Sequence, residues 1–348
     1  MNKLFVALTL FSLVFISCSK EEDPIFTVSA TLIHVQENES SRTITLVANN
    51  PWSVSCPDWC TVLPSSGDGD GETEVVITVK KNNSFVERYC TLLFSSLDME
   101  ACISVSQDPK EIISYVDEYG VNHGKGLLVR NVVWAPVNCG YKAATATDKG
   151  YPYGKLYQWG RKYGQGYSKE YDATAPYDDN KVIQGPVELS VGQNSSNQEN
   201  LYVCDVYTSR NWMSGLSASE VSKLWNSGTE ASPIKTSNDP CPAGWRVPTV
   251  TEWRDLQENN VSSFIGQGTQ KGCWYGDLFL PAAGYCSAYD GTAVKRDEQG
   301  LYWSSSFLID ADKASRFQLS VGMQLGAGVT GLTSDYSAYA GSVRCVME

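Results

Sequence analysis

The chain has 348 residues and a formal net charge of −12, from 27 basic and 39 acidic residues. This length favours two or three domains, and the acidic balance argues against nucleic acid and other anionic polymers as partners. The sequence contains two histidines, which argues against histidine-based catalysis and against a histidine-rich metal centre.

The N-terminal segment has the pattern of an export signal followed by an anchor. Residues 1–17 include an apolar run from Leu4 to Ile16, which is typical of a signal peptide and shorter than the roughly 20 residues that span a bilayer. Cys18 follows a serine and resembles the lipobox cysteine of bacterial lipoproteins, although Phe15 stands where Leu is usual. The resemblance implies that Cys18 is lipidated and that residues 18–24 form a tether. An ordinary signal peptide with an incidental cysteine is the alternative.

A charged run comes directly after this cysteine, at Lys20, Glu21, Glu22 and Asp23. It resembles the short signal that sends lipoproteins of Bacteroidetes-type bacteria to the outer face of the outer membrane. The resemblance implies an outer-membrane protein that is exposed at the cell surface, with the lipid anchor as its only membrane contact.

Residues 25–108 are predicted to form an all-β domain. Apolar residues alternate along three segments, at Ile44 and Leu46, at Val75, Ile77 and Val79, and at Ile103 and Val105. Clusters of Asn, Gly, Pro and Ser separate these segments, which is typical of turns. Short alternating strands at this spacing predict a small antiparallel β-sandwich.

The motifs of this region stand in the order of a known family. They are Trp52–Cys56, Asp58–Val62, Pro64–Gly67, Glu74–Val79 and Val105–Gln107. Together they resemble a BACON domain over the whole of 25–108. The resemblance implies an immunoglobulin-like sandwich and an association with bacterial carbohydrate-active proteins. Sugar or mucin binding is one role that it suggests, and a spacer between the membrane and the next domain is the other.

Residues 112–348 form a second body, after a joint where Pro109 ends the last strand. Two capping boxes predict helix starts, at Ser217 with Glu220 and at Thr249 with Glu252. The first box leads into apolar residues at helical spacing. Most of the remaining chain has the composition of loops, so the pattern predicts an α+β domain whose function lies on its loops.

The second body also carries a set of recognisable motifs. They are Tyr115–Gly120, Trp134–Tyr141, Lys155–Arg161, Asp239–Trp253, Leu280–Tyr285, Tyr302–Ser306 and Ser342–Cys345. Together they resemble a FISUMP domain, the Fibrobacter succinogenes major paralogous type, over nearly all of 112–348. The resemblance implies a C-type-lectin-like fold and an occurrence on surface lipoproteins and adhesin-like proteins. The whole chain is then multidomain, an all-β immunoglobulin-like sandwich followed by an α+β C-type-lectin-like domain.

The C-type-lectin-like resemblance further implies a disulfide between Cys241, before the second capped helix, and Cys345, in a short terminal strand. Even cysteine counts on both sides of residue 110, once Cys18 is set aside, permit disulfides in an exported protein without fixing the partners. Pairing of Cys241 with Cys204, or reduction of all cysteines, remains open.

Aromatic loops between these motifs are the candidate ligand site. The residues are Trp274, Tyr275 and Asp277, together with Tyr336 and Tyr339 from the last long loop. Aromatic faces stack on sugar rings while an acid takes the hydroxyls. The alternative is that these rings fill small cores under the loops.

Three function classes follow from these observations. We prefer a non-catalytic surface lipoprotein that binds glycans or host and matrix glycoconjugates such as mucin, in an adhesin-like role. The second is a structural or assembly component of a surface filament or uptake complex. The third is a formylglycine-generating-enzyme-like oxidase using Cys286 and Cys345, whose surroundings do not reproduce that enzyme's site. We expect no enzyme, cofactor or metal, since the sequence lacks calcium-lectin triplets, a phosphate loop and HExxH.

Overall fold

The computed structural model describes residues 23–143, 145, 152–164, 182–193, 202–205, 211–258, 263–267, 270–308, 313–320 and 331–348. The chain divides into two compact units, residues 1–111 and 112–348. The sequence predicts a first body that ends at residue 108 and a second that begins at residue 112. Within the described ranges, no helix is both long enough and apolar enough to cross a membrane.

The described part of the first unit, residues 23–111, consists of strands. They are β1 (Phe26–Val28), β2 (Leu32–Val35), β3 (Ser40–Ala48), β4 (Trp52–Ser55), β5 (Cys60–Leu63), β6 (Ser66–Gly67), β7 (Gly71–Val79), β8 (Arg88–Ser96) and β9 (Met99–Gln107). They form two sheets with the strand orders β1-β3-β7-β5 and β2-β9-β8-β4-β6. The long strands pair antiparallel, and β2 runs parallel to β9.

Both sheets contribute to one aliphatic core. The predicted alternation is confirmed, because its members are all buried: Ile44, Leu46, Val75, Ile77, Val79, Ile103 and Val105. Leu92 and Phe94 of β8 complete the same cluster. Each such side chain contributes about 1.5–3 kcal/mol when it leaves water. Because successive residues of a strand point to opposite faces, burial of this set also fixes which side chains lie on the outside.

Gln107 fixes the end of the larger sheet. Its side chain is fully buried, and its amide donates to the backbone oxygens of Glu37 and Lys80, each at 3.1 Å. Its Oε1 accepts from Arg88 Nε at 2.8 Å. These bonds hold the ends of β8 and β9 and the loop after β2 in one arrangement.

The second unit has many short strands. They are β10 (Ser114–Val116), β11 (Asn122–Lys125), β12 (Leu127–Val129), β13 (Val132–Trp134), β14 (Tyr157–Gln158), β15 (Val182–Gln184), β16 (Val187–Glu188), β17 (Tyr202–Cys204), β18 (Met213–Ser214), β19 (Trp245–Arg246), β20 (Ser263–Gln267), β21 (Gln270–Tyr275), β22 (Leu278–Pro281), β23 (Tyr285–Cys286), β24 (Ala293–Val294), β25 (Gln299–Leu308), β26 (Lys313–Ser320), β27 (Gly331–Asp335), β28 (Ala340–Gly341) and β29 (Val346–Met347). Its helices are α1 (Leu189–Gly192), α2 (Ala218–Val221) and α3 (Val250–Glu258).

These strands form several small sheets. The four-stranded ones have the orders β12-β13-β29-β19 and β14-β28-β23-β24, and the three-stranded ones are β20-β21-β22 and β25-β26-β27. Strand pairs β10-β11, β15-β17 and β16-β18 stand beside them. The described part of this unit therefore contains more strand and less helix than the α+β prediction.

Both predicted capping boxes are present. Ser217 Oγ accepts from the backbone N–H of Glu220 at 3.3 Å, and the Glu220 carboxylate accepts from the N–H of Ser217 at 2.8 Å. Thr249 and Glu252 make the same two bonds at the start of α3. Helix α2 is shorter than its apolar spacing predicts, because the N–H groups of Lys223 and Leu224 bond to oxygens three residues back, on Glu220 and Val221. Beyond it, Asn226 Oδ1 accepts from the N–H groups of Gly228 and Ile234. A side chain that bonds nearby backbone in this way favours a turn over a helix.

The core of the second unit is aromatic and hydrogen-bonded. Seven tryptophans are among its largest fully buried side chains: Trp134, Trp159, Trp212, Trp225, Trp245, Trp253 and Trp303. Trp253 anchors α3, with its ring 4.6 Å from that of Trp134 on β13. Most of the indole N–H groups donate to backbone oxygens, as Trp303 Nε1 does to Tyr157 O at 2.7 Å. Buried rings therefore also tie the loops together.

Arg344 is a fully buried arginine within this core. Its guanidinium donates to Asn138 Oδ1 at 2.8 Å, to Ala135 O at 2.9 Å and to Phe279 O at 2.8 Å. The planar fork thus satisfies three acceptors from two separate segments, residues 135–138 and Phe279. Arg246 instead pairs with the Glu252 carboxylate through both terminal nitrogens.

Candidate functional site

The outer face of the larger sheet in the first unit carries a group of polar and aromatic side chains. Alternation places residues of β2, β8 and β9, with the positions flanking β8 and β9, on this side. We call them the Tyr89 face: Leu32, His34, Glu87, Tyr89, Thr91, Ser104, Ser106 and Asp108. In the register, Ser106 lies between His34 and Tyr89, and Ser104 lies between Leu32 and Thr91.

A shallow depression of about 450 Å³ lies on this face. Tyr89 and Leu32, each 67% exposed, are among the residues that line it, together with the hydroxyl-bearing residues Thr91, Ser104 and Ser106. An exposed ring beside hydroxyls on a rigid sheet offers both an apolar face and hydrogen-bonding groups. This combination fits a carbohydrate ring better than a purely apolar ligand.

One end of the Tyr89 face is charged. His34 Nδ1 lies 2.9 Å from Ser106 Oγ, and His34 Nε2 lies 3.5 Å from Asp108 Oδ1. The hydrogen bond to Glu87 is the largest cause that raises the pKa of the Tyr89 hydroxyl. Ligand atoms of His34, Glu87 and Asp108 all lie within 4.8 Å of one another.

The structure separates the predicted ligand residues of the second unit into two places. Trp274, on β21, is half-buried and its ring lies 4.9 Å from that of Phe279. Tyr275 is 1% exposed and belongs to the core. Its predicted role in ligand contact is wrong, because the alternation of β21 turns its ring inward. Asp277 is exposed in the turn between β21 and β22.

Tyr339 belongs to another aromatic group, which the sequence analysis identified only in part. Its ring lies 6.0 Å from that of Tyr285 and 6.4 Å from that of Tyr289. We call these three residues the tyrosine cluster. Tyr289 is 40% exposed, and burial raises the pKa of Tyr339 to about 12. Tyr336 is half-buried, and its backbone oxygen accepts from the N–H of Tyr339.

Cys241 and Cys345 form a disulfide with a Cα–Cα distance of 5.9 Å, the pairing that the C-type-lectin-like resemblance implies. The sulfur of Cys139 lies within 4.8 Å of both. Burial raises the pKa of Cys139 to about 12, so this thiol is protonated at neutral pH. A cavity of about 270 Å³ adjoins it, lined in part by Tyr115, Lys162 and Cys241. The predicted lipidation site, Cys18, lies outside the described residues.

The Tyr89 face was missed by reasoning from sequence. Its signal was nevertheless present, because burial of Ile103 and Val105 predicts that Ser104, Ser106 and Asp108 point outward. The sequence could not show that the parallel strand β2 brings His34 beside Ser106, since that pairing joins residues 72 positions apart.

Comparison with known proteins points to the same unit. Residues 48–108 match the BACON family, described as "Putative binding domain, N-terminal". Among curated proteins, no sequence matches this chain.

Two solved structures are similar to part of this chain. One is the Bacteroides ovatus GH5 xyloglucanase in complex with a XXXG heptasaccharide, 23% identical, with a TM-score of 0.24 over 27% of this chain and 20% of that chain. The other is a protein from Bacteroides thetaiotaomicron, 15% identical, with a TM-score of 0.20 over 26% of this chain and 91% of that chain. This chain thus spans about a fifth of the xyloglucanase, and likenesses of this size support no functional conclusion.

Proposed function

We propose that this protein is a non-catalytic lipoprotein of the outer membrane that binds neutral glycans at the cell surface. The observation that carries the proposal is the Tyr89 face, whose exposed ring and hydroxyls lie mostly within the segment that matches a binding-domain family. Tyr89 stacks on a sugar ring in this proposal, and Thr91 and Ser104 bond its hydroxyls.

Charge narrows the class of glycan. The chain carries a net charge of −12, and the carboxylates of Glu87 and Asp108 stand at one end of the Tyr89 face. These charges repel sulfated, sialylated or uronic-acid chains and accept hydrogen bonds from sugar hydroxyls. Neutral polysaccharides and the neutral parts of mucin-type glycans are therefore the ligands that we expect.

A glycan array probed with the chain lacking residues 1–18 tests this proposal. We expect binding to neutral glycans, and we expect Tyr89→Ala to weaken it about tenfold, because one stacking contact is lost. Leu63→Ala is the matched control, since Leu63 is 64% exposed but lies on the other sheet. If Tyr89→Ala binds like the unaltered chain, the Tyr89 face is not the site.

The tyrosine cluster is the second candidate surface for the same function. Tyr289 is partly exposed, and the Tyr339 ring meets those of Tyr285 and Tyr289 edge to face. Exposed rings of this kind also suit sugar stacking. Tyr289→Ala in the same array distinguishes the two surfaces. Loss of binding in Tyr289→Ala alone assigns the ligand to the second unit. Absence of any glycan binding, with surface proteins co-purifying instead, favours the structural or assembly role.

A further part of the proposal is that the second unit is a FISUMP-type domain. The structural contacts of its motif residues support this. Asp239 accepts from the N–H groups of Cys241 and Val247 at 2.8 Å each, and Trp245 and Trp253 are buried. These residues hold the fold and bind no ligand in our interpretation. A non-catalytic role also agrees with Cys286, because burial raises the pKa of its thiol to about 12 and leaves little reactive thiolate.

Attachment through Cys18 completes the proposal, with the lipobox-like run and the acidic residues after it as support. One acyl chain anchors a protein only marginally, so stable attachment requires several chains on Cys18. Protease treatment of intact cells should remove the protein, and Cys18→Ala should leave the membrane fraction. Full protection from protease, or a Cys18→Ala variant that stays with membranes, contradicts this part.

A further inference from the structure

Three metal-ligating side chains meet at the charged end of the Tyr89 face. His34 comes from β2, Glu87 precedes β8 and Asp108 follows β9, so three separate segments supply one donor each. Their ligand atoms lie within 4.8 Å of one another. The distances were not apparent from sequence, where the two histidines lie far apart and no metal was expected.

A cation close to the two carboxylates would stabilise them. Arg88 pairs with Gln107 in the register, so Glu87 and Asp108 fall on directly opposite positions just beyond it. Like charges that face each other across two strands destabilise a sheet. Arg88 does not relieve them, because its guanidinium turns to the inner side and donates to Gln107 Oε1 and Lys80 O. Within residues 23–111, Asp108 pairs with His34 at 3.5 Å, and Glu87 accepts from the Tyr89 hydroxyl.

The imidazole is oriented toward the carboxylates. Ser106 Oγ lies 2.9 Å from His34 Nδ1, and when Nδ1–H donates to this hydroxyl, Nε2 presents its lone pair toward Asp108 at 3.5 Å. In this tautomer Nε2 can bind a metal ion, whereas in the other tautomer Nε2–H donates toward Asp108 and metal binding replaces that contact. Metal-binding histidines commonly donate their other ring N–H to a neighbouring acceptor, which sets the tautomer.

We propose that His34, Glu87 and Asp108 form a binding site for a divalent transition metal, with Zn²⁺ as the preferred ion. An edge of a zinc tetrahedron measures about 3.3 Å when the metal–ligand bonds are 2.0–2.1 Å. The 3.5 Å between His34 and Asp108 is close to this value, and Glu87, whose ligand atom lies within 4.8 Å of the other two, reaches the ion by a change of side-chain rotamer. The nitrogen donor disfavours Ca²⁺ and Mg²⁺, which prefer oxygen ligands alone. Water fills the remaining position.

Calorimetric titration of Zn²⁺ into the untagged chain lacking residues 1–18 tests this site without any glycan. We expect one equivalent to bind, and we expect His34→Ala and Asp108→Asn each to weaken that binding by at least about tenfold. Glu100→Gln is the matched control, because it removes one carboxylate from the far end of the same face of β9 and should leave the affinity unchanged. All of these variants keep the same cysteines, so Zn²⁺ that binds to cysteines does not affect the comparison of their affinities.

Ser106 is a positioning residue in this proposal, so Ser106→Ala should lower the Zn²⁺ affinity about tenfold without changing the urea midpoint of the metal-free protein. A merely structural role would change the midpoint as well. Equal Zn²⁺ binding by the unaltered chain and His34→Ala overturns the proposal, as does binding of Ca²⁺ in preference to Zn²⁺. Failure of glycan binding leaves this result untouched, because the titration contains no glycan.

Discussion

The two units differ in what fills their interiors. In the first, aliphatic side chains on alternating strand positions meet between two regular sheets. In the second, buried tryptophans, tyrosines and Arg344 bond to loop backbone between many short strands. An aliphatic core depends on volume and area, whereas the second core depends also on the direction of each hydrogen bond. Substitutions that preserve size but remove a polar atom should therefore affect the two units differently.

The disulfide should give the largest difference between the units. Its cysteines are 104 positions apart, and replacing both by alanine should lower the stability of the second unit by about 4–5 kcal/mol in the chain-entropy account. Both must be replaced, because the sulfur of Cys139 lies within 4.8 Å of each and would pair with the one that remained. Urea unfolding followed by tryptophan fluorescence measures the loss.

Cys102→Ala provides the control for this experiment, because Cys102 is free and exposed in the first unit. It should change stability by less than about 0.5 kcal/mol. A second unit that unfolds at the same urea concentration with and without the disulfide would mean that its packed rings alone hold the loops.

Arg344→Leu should give the next largest loss, about 3 kcal/mol or more, confined to the second unit. The substitution leaves two buried acceptors, on Asn138 and Ala135, and the part-buried Phe279 O without their donor. Each buried unpaired group costs about 1–3 kcal/mol. Arg42→Ala is the comparison in the first unit, since Arg42 is exposed and donates to Ser41 O. Equal losses in the two variants would show that Arg344 is not what joins these segments.

The sequence predicted the first unit better than the second for a physical reason. Alternation at Ile44, Leu46, Val75 and Ile77 is a local pattern, and a strand that buries one face has to follow it. The capping boxes of the second unit are local in the same way. In contrast, the acceptors of Arg344 come from segments up to 209 positions away, and no short pattern encodes such a contact.

The candidate sites follow the same rule. Trp274 and Tyr275 are neighbours in sequence, but strand alternation sends one ring outward and the other into the core. The predicted site treated them as one loop surface, whereas they lie on β21. The tyrosine cluster joins Tyr339 to residues 50 or more positions earlier, and the Tyr89 face joins β2 to β9. Sites assembled by pairing of distant strands are visible only once the topology is known.

Tyr302→Phe tests the hydrogen-bonded core of the second unit by removing a single oxygen atom. The Tyr302 hydroxyl donates to Pro281 O at 2.7 Å and accepts from Asn138 Nδ2 at 3.2 Å. Its loss should cost about 1–3 kcal/mol although the ring keeps its volume. Ile77→Val in the first unit removes a methylene and should cost about 0.5–1.5 kcal/mol. Chemical denaturation of both variants measures these losses, and a Tyr302→Phe variant as stable as the unaltered chain would contradict a hydrogen-bonded core.

Ser217→Ala should give the smallest measurable effect, because it tests a local signal within the second unit. The Ser217 side chain accepts from the N–H of Glu220, and the loss of such an N-cap typically costs about 1 kcal/mol. We expect a loss below this typical value, since α2 has four residues and its cap is exposed.

Ser219→Ala is the control, because Ser219 lies in the same helix but does not cap it, and it should be neutral within about 0.5 kcal/mol. Urea midpoints measured on both variants decide the matter. If Ser217→Ala equals Ser219→Ala, tertiary packing of Val221 and Trp225 fixes this turn, and even the locally encoded part of the second unit depends on its aromatic core.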